Sequence, residues 1–185
     1  MAALGPPGGS GPSDALQLPT SSRASSDALQ LPTSSRASER PGSVLFACTL
    51  NAVRSPMAAA ILQHLAGRRV YVQSAGVRAG EPDPFAIAVM NEIGIDISSH
   101  APIKLSELDD TSFDLIISLS PEAHHQALEL TRTMAVDVEY WPTFDASMMM
   151  GQGSREQILD AYRAVRDRLF KRIKDRFGIE GGPTV

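Results

Sequence analysis

The sequence predicts a single α/β domain on a parallel sheet, and three observations carry that reading. From residue 44 onward, short apolar runs alternate with stretches of helical periodicity. Three helical stretches open on a short polar residue followed by proline, at Ser55-Pro56, Asp83-Pro84 and Ser120-Pro121. That pairing suits a helix N-cap and the first helical position. The chain has 185 residues, 43% hydrophobic and 21% charged, which suffices for one core of ordinary globular composition.

The elements follow in order. Val44–Ala47 (VLFA) reads as a buried strand. Ser55-Pro56 opens a helix through PMAAAILQHLAG, with serine as the N-cap and Gly67 at the C-terminal end. Val70–Gln73 is the second strand. The helix opened by Asp83-Pro84 places Phe85, Ala88, Val89 and Ile93 on one face and ends at Gly94. Phe113–Leu119 (FDLIISL) is the third strand, and Ser120-Pro121 starts the helix that carries His124 and His125. Ala135–Tyr140 is the fourth strand. Ser154 and Gln157 form a capping box, after which Ile158, Tyr162, Val165, Leu169 and Ile173 recur at helical spacing. Such alternation implies a sheet covered on both faces, with ligands at the carboxyl ends of its strands.

Residues 1–42 are a different material, rich in Gly, Pro, Ser and Ala. Ser13–Ser25 (SDALQLPTSSRAS) is repeated without change at Ser26–Ser38. Each copy offers two leucines and a proline, too little apolar surface to offset the entropy of ordering. A disordered tail over 1–42 is expected, followed by one domain over 43–180. The Ser and Arg content of the tail suits a transit peptide, but its acidic residues argue against one.

A net charge of −4 gives no basic footprint for nucleic acid or an anionic membrane. No apolar run approaches the roughly 20 residues of a membrane helix. The N-terminus lacks the pattern of a secretory signal, so a cytoplasmic location is expected. Cys48 is the only cysteine. An internal disulfide is thereby excluded, and a lone cysteine argues against a cysteine metal cluster. A lone thiol is either small apolar filling or a reactive group.

The surroundings of Cys48 favour reactivity. It directly follows the first strand, and the first helix begins at Ser55-Pro56, with CTLNAVRS between. A short arc before a helix N-terminus aims the backbone N–H groups of Thr49, Leu50, Asn51, Ala52, Val53 and their neighbours at one point, where a tetrahedral dianion binds. Arg54 adds a planar guanidinium that holds two phosphate oxygens together. The same positive field stabilises the thiolate form of Cys48. Ser55 is placed to donate to the sulfur, and Asn51 tolerates the left-handed backbone a tight loop needs.

VLFACTLNAVRSPMAAAIL resembles the phosphate loop of the low-molecular-weight protein tyrosine phosphatases and of the related thioredoxin-coupled arsenate reductases, whose pattern is a strand followed by C-x-G-N-x-C-R-S-P-M-A-E-A. The resemblance runs over residues 44–177 and includes QSAG with Ser74, EPDPFA, and GIDISSH with His100. It implies a flavodoxin-like three-layer α/β fold with a four-stranded parallel sheet. It also implies Cys48 as nucleophile, Arg54 as transition-state binder and Ser55 as thiolate partner, with Asn51, Ser74 and His100 holding the loop. The family places its general acid in an Asp-Pro dipeptide after the fourth strand. Here YWPTFDAS stands in that region, so Asp145 is the candidate acid, while Asp137 and Asp160 lie in the expected strand and final helix. His64, His124 and His125 match no family motif and read as helix-surface residues.

Departures from the pattern bear on the substrate. Leu50 stands where a glycine is usual, and Val53 where many members carry a second cysteine. Met148, Met149 and Met150 replace the aromatic residues that wall the phosphotyrosine cleft in many members, and read equally as a flexible wall or as a hydrophobic patch. The leading expectation is a metal-free, cofactor-free phosphomonoesterase of the protein tyrosine phosphatase type, acting on a phosphorylated protein or a small phosphomonoester. An arsenate reductase using an external thiol and a non-catalytic phosphate-binding module are the alternatives.

Overall fold

The computed structural model describes residues 40–180. The elements run β1 (Ser43–Cys48), α1 (Arg54–Ala66), β2 (Tyr71–Gly76), α2 (Pro84–Asn91), β3 (Leu115–Ser118), α3 (Pro121–Leu130), β4 (Asp137–Tyr140) and α4 (Arg155–Phe177). The four strands form one parallel sheet in the order β2-β1-β3-β4. This is the parallel sheet covered on both faces that the alternation of elements predicts, in the flavodoxin-like three-layer α/β form that the family resemblance implies. The chain leaves β1 for β2 on one side and returns to β3 on the other. The reversal opens a crevice at the carboxyl ends of β1 and β3, the usual ligand position in such sheets.

Burial follows the strand period. Val44, Phe46 and Cys48 of β1 face a core shared with α1, α2 and α4, while Leu45 and Ala47 face Ala123 and Ala127 of α3. Ile158, Tyr162, Val165, Leu169 and Ile173 of α4 are all buried. Each such large side chain removed from water contributes roughly 1.5–3 kcal/mol. The Asp83-Pro84 and Ser120-Pro121 starts form as expected. Asp83 accepts from the amides of Phe85 and Ala86, and Ser120 from that of Ala123.

Other details differ from the sequence reading. Helix α1 begins at Arg54, with Val53 at the N-cap position, and Ser55 lies inside its first turn. The buried face of α2 is Ala86, Val89 and Met90, whereas Phe85, Ala88 and Ile93 pack at the edge of the core. Strand β2 starts at Tyr71 and continues past Gln73 to Gly76. Phe113 is buried but lies outside the β3 ladder, and its neighbour Asp114 accepts through its carboxylate from the amides of Gly42 (2.8 Å) and Ser43 (3.1 Å). The Gly42 carbonyl also accepts from Tyr71 N at 2.8 Å, so residue 42 is tied to the domain. Residues 1–39 of the expected tail lie outside the described residues.

Helix α2 is fastened to α4 by charge. Arg163 donates to both Glu92 oxygens (3.1 and 3.0 Å from Nε), and Arg166 Nη1 donates to Glu92 (2.9 Å) and to the Val89 carbonyl (2.8 Å). Chiefly through the Arg163 hydrogen bond, these partners hold the Glu92 carboxyl at about 2, below its usual 4.5. A carboxyl lowered on folding stabilises the protein above the unfolded value. That stability is lost as pH falls from about 4.5 towards about 2. Glu92 is 37% exposed, and solvent screening limits the effect. Glu92→Gln is therefore expected to cost about 1 kcal/mol at neutral pH. It should also flatten the acid limb of stability in that window, as read by denaturant melts across pH.

Candidate active site

The loop from Cys48 to Ser55 joins the end of β1 to the start of α1 and is organised by Asn51. Asn51 has φ of 53° and is the one non-glycine residue in the left-handed region among those described. Leu50, at the position where the family pattern has glycine, therefore needs no special backbone freedom. Asn51 is fully buried, and its polar atoms each have a partner. Its Nδ2 donates to Ser55 Oγ and Ser74 Oγ, both at 2.9 Å, and its Oδ1 accepts from Ile103 N at 3.0 Å. Its carbonyl meets His100 Nε2 at 3.0 Å. Ser74 on β2 and His100 in the loop after α2 thus converge on the asparagine that shapes the arc.

The sulfur of Cys48 sits at the base of that arc. Asn51 N donates to it at 3.3 Å, and Ser55 Oγ lies 2.9 Å away. Asn51 Nδ2 already occupies a lone pair of Ser55 Oγ, and the Ala75 carbonyl is farther off at 3.4 Å. The hydroxyl proton of Ser55 is therefore best placed to serve the sulfur. This is also why Ser55 is not a helix cap.

Arg54 is nearly buried, at 7% exposed. Its Nη1 donates to the Thr143 carbonyl (3.1 Å), and its Nη2 to Asp145 Oδ2 (2.9 Å) and Thr49 Oγ1 (3.3 Å). Asp145 caps the short turn Ala146–Met149, and its other oxygen accepts from Ser147 N and Oγ. Cys48, Leu50, Ala52, Val53, Arg54, Glu81, Asp83, Asp145 and Ser147 line one cavity of about 140 Å³. The structure thus brings together the cysteine, arginine, serine and aspartate that the sequence singles out.

The methionines divide. Met148 and Met150 are exposed, Met149 packs on the core edge, and none lines the cavity. Its apolar wall is Leu50, Ala52 and Val53 instead. His64 and His125 are exposed as expected, but His124 is not a plain surface residue. It bonds Ser118 Oγ through Nδ1 at 2.9 Å and stacks on Tyr140 with centroids 4.5 Å apart. Asp137 lies in β4, and Asp160 pairs with Arg163 on α4.

Sequence reasoning missed Gly76, Thr143, Glu122 and the pairing of Tyr162 OH with Asp83 (2.8 Å). Of these, only Gly76 left a signal, since a glycine ending a strand often marks close backbone approach. A Cβ at Gly76 would sit 2.3 Å from the Arg78 carbonyl oxygen and 2.8 Å from Asn51 N. Gly76→Ala is thus expected to cost about 2–3 kcal/mol in stability. It should also weaken binding of orthophosphate, because the clash falls on the loop itself; melts and titration calorimetry measure both.

A thiol at the end of a parallel strand, met by the amide of Asn51 and the hydroxyl of Ser55 and sharing a cavity with an arginine and an aspartate, marks a cysteine-centred site on an α/β sheet. The chain belongs to the low molecular weight phosphotyrosine protein phosphatase family, whose model matches residues 43–179. It is 32% identical over 133 residues to an arsenate reductase of Shouchella clausii, covering 71% of this chain and 91% of that one. It is 36% identical over 76 residues to the glutaredoxin arsenate reductase of Synechocystis, a match spanning 41% of this chain and 58% of that protein. A solved structure of an arginine phosphatase, in a cysteine-to-serine mutant whose active-site serine is phosphorylated, superposes with a TM-score of 0.60 at 25% identity, covering 74% of this chain and 93% of the other.

Proposed function

We propose that this chain is a cysteine-dependent phosphomonoester hydrolase of the protein tyrosine phosphatase type. The observation that carries this reading is the convergence of Cys48, Arg54 and Asp145 on one cavity, with Ser55 Oγ 2.9 Å from the sulfur. The loop amides and Arg54 bind the phosphoryl oxygens. Cys48 Sγ attacks phosphorus in line and the bond to the leaving oxygen breaks, while Asp145 gives that oxygen a proton. In the second step Asp145 takes a proton from water, the water oxygen attacks phosphorus, and the sulfur leaves as a thiolate that accepts from Ser55.

The Arg54–Asp145 pair shapes the order of events. A phosphoryl dianion over Cys48 competes with the Asp145 carboxylate for Arg54 Nη2. Binding therefore releases Asp145, which takes a proton from solvent and carries it to the leaving oxygen. The mouth of the cavity is apolar at Leu50 and Ala52, which suits an aromatic leaving group. The likeness to an arginine phosphatase supports phosphoryl transfer to a side chain at this position of the fold.

The arsenate reductases among its relatives favour a second reading. There Cys48 displaces a hydroxyl from arsenate, and an external thiol attacks the sulfur. A mixed disulfide forms and arsenic(III) leaves with the bonding pair. A second external thiol then frees Cys48. Both thiols must come from outside, because Cys48 is the only cysteine of the chain. Phosphate release from p-nitrophenyl phosphate, set beside arsenate reduction with glutathione and glutaredoxin, separates the readings. Hydrolysis without thiol-dependent reduction is expected. Reduction without hydrolysis would replace the first reading by the second.

A further inference from the structure

We propose that Glu122, on the opposite side of the sheet from α1, is a positioning residue that holds the plane of Arg54 through the hydroxyl of Thr49. The proposal rests on the phosphatase reading. Glu122 is the second residue of α3, which packs on the face of the sheet away from α1. Its Oε2 accepts from Thr49 Oγ1 at 3.2 Å, and the same Thr49 oxygen accepts from Arg54 Nη2 at 3.3 Å.

The direction of this chain is set by chemistry. A threonine hydroxyl has one proton, and an ionised carboxylate only accepts. The Thr49 proton therefore points to Glu122, and a lone pair is left facing the guanidinium. The backbone amide of Glu122 and the Thr49 hydroxyl hold its carboxyl below the usual carboxylate value, and the charges of Arg54 and Arg78 add to this. With Glu122 removed, the hydroxyl is free to turn its proton towards Arg54, which has no lone pair to accept it.

The hold matters most during reaction. Arg54 has three anchors: the Thr143 carbonyl, Asp145 and Thr49. Asp145 leaves Arg54 to serve the leaving oxygen. The Thr49 contact is then the protein's remaining hold on Nη2, and the Thr143 carbonyl its hold on Nη1. A guanidinium free to tilt loses alignment with the equatorial phosphoryl oxygens, where small misplacements are costly. Neither Thr49 nor Glu122 lines the cavity, so both act through Arg54.

The test is a double-mutant cycle of Thr49→Val and Glu122→Ala in the full chain, with melting curves as a control for folding. It is read as kcat and KM on p-nitrophenyl phosphate and as calorimetric Kd for vanadate and for orthophosphate. Each single change should lower kcat and vanadate affinity about 10-fold, with KM moved less than about 3-fold. The double change should also cost about 10-fold, since one path is cut twice. Thr49→Ser restores the hydroxyl and should return kcat to within about 2-fold of the parent, as rescue of a positioning contact requires. Unchanged kcat in Glu122→Ala, or losses that multiply in the double variant, would overturn the proposal. If the parent chain does not hydrolyse the ester, the phosphatase reading falls. The vanadate cycle then decides by itself: shared losses uphold the proposal, and unchanged or multiplied losses end it.

Discussion

Cys48→Ser is expected to lower turnover of p-nitrophenyl phosphate by on the order of 10⁴-fold or more while leaving orthophosphate binding within a few-fold of the parent. A hydroxyl is a far weaker nucleophile than a thiolate at neutral pH. Binding survives because the loop amides and Arg54 hold the oxyanion, and Asn51, which shapes the loop, keeps its bonds to Ser55, Ser74, Ile103 and His100. Steady-state assays beside calorimetry with phosphate measure the two effects separately. Turnover near the parent level would remove Cys48 from the reaction. Loss of phosphate binding would mean that the sulfur itself shapes the loop.

Arg54→Lys is the second large effect, expected at about 10²- to 10³-fold in kcat. The guanidinium reaches the Thr143 carbonyl from Nη1 and both Asp145 and Thr49 from Nη2. It also lines the cavity, and a planar guanidinium can grip two oxygens at once. An ammonium carries the same charge as a point. It cannot keep the carbonyl at the back of the site and grip two phosphoryl oxygens at the front. The loss should fall more on kcat than on KM, because the fork matches the trigonal phosphoryl group of the transition state better than the tetrahedral ground state. A change in kcat below about 3-fold would confine Arg54 to a structural role.

The core of this site was legible in the sequence because its parts are local. A strand, Cys-x5-Arg-Ser and a proline-started helix lie within a few residues, and their chemistry follows from that order. Asp83 and Ser120 as caps, Gly67 as a stop and the apolar face of α4 were legible for the same reason, whereas α2 ends at Asn91, three residues before the expected stop at Gly94. What the sequence did not reveal comes from contacts across the fold. Ser55 looks like a helix cap, but its hydroxyl is drawn to the sulfur, so α1 starts at Arg54. The buried face of α2 is turned towards Met90 by its packing on α4. Gly76 is required because the Asn51 and Arg78 backbones press on it. His124 is drawn inward by Ser118 and Tyr140, partners on two strands that no helical periodicity marks. Glu122 meets Thr49 across 73 residues of chain, a distance at which nothing in the local pattern signals a pairing.

The central claim is that the phosphoryl group passes through the sulfur of Cys48. Asp145→Asn exposes that step. p-Nitrophenolate leaves without a proton, so the first step survives the change, while the second loses the base that activates water and slows. The measurement is rapid mixing of the Asp145→Asn variant with p-nitrophenyl phosphate, followed by intact mass and fragment mapping. A burst of p-nitrophenol equal to the protein present is predicted, with one phosphoryl group on Cys48 and none in the variant that also carries Cys48→Ser. A phosphoryl group on any other residue, or steady release with neither burst nor adduct, would contradict the account.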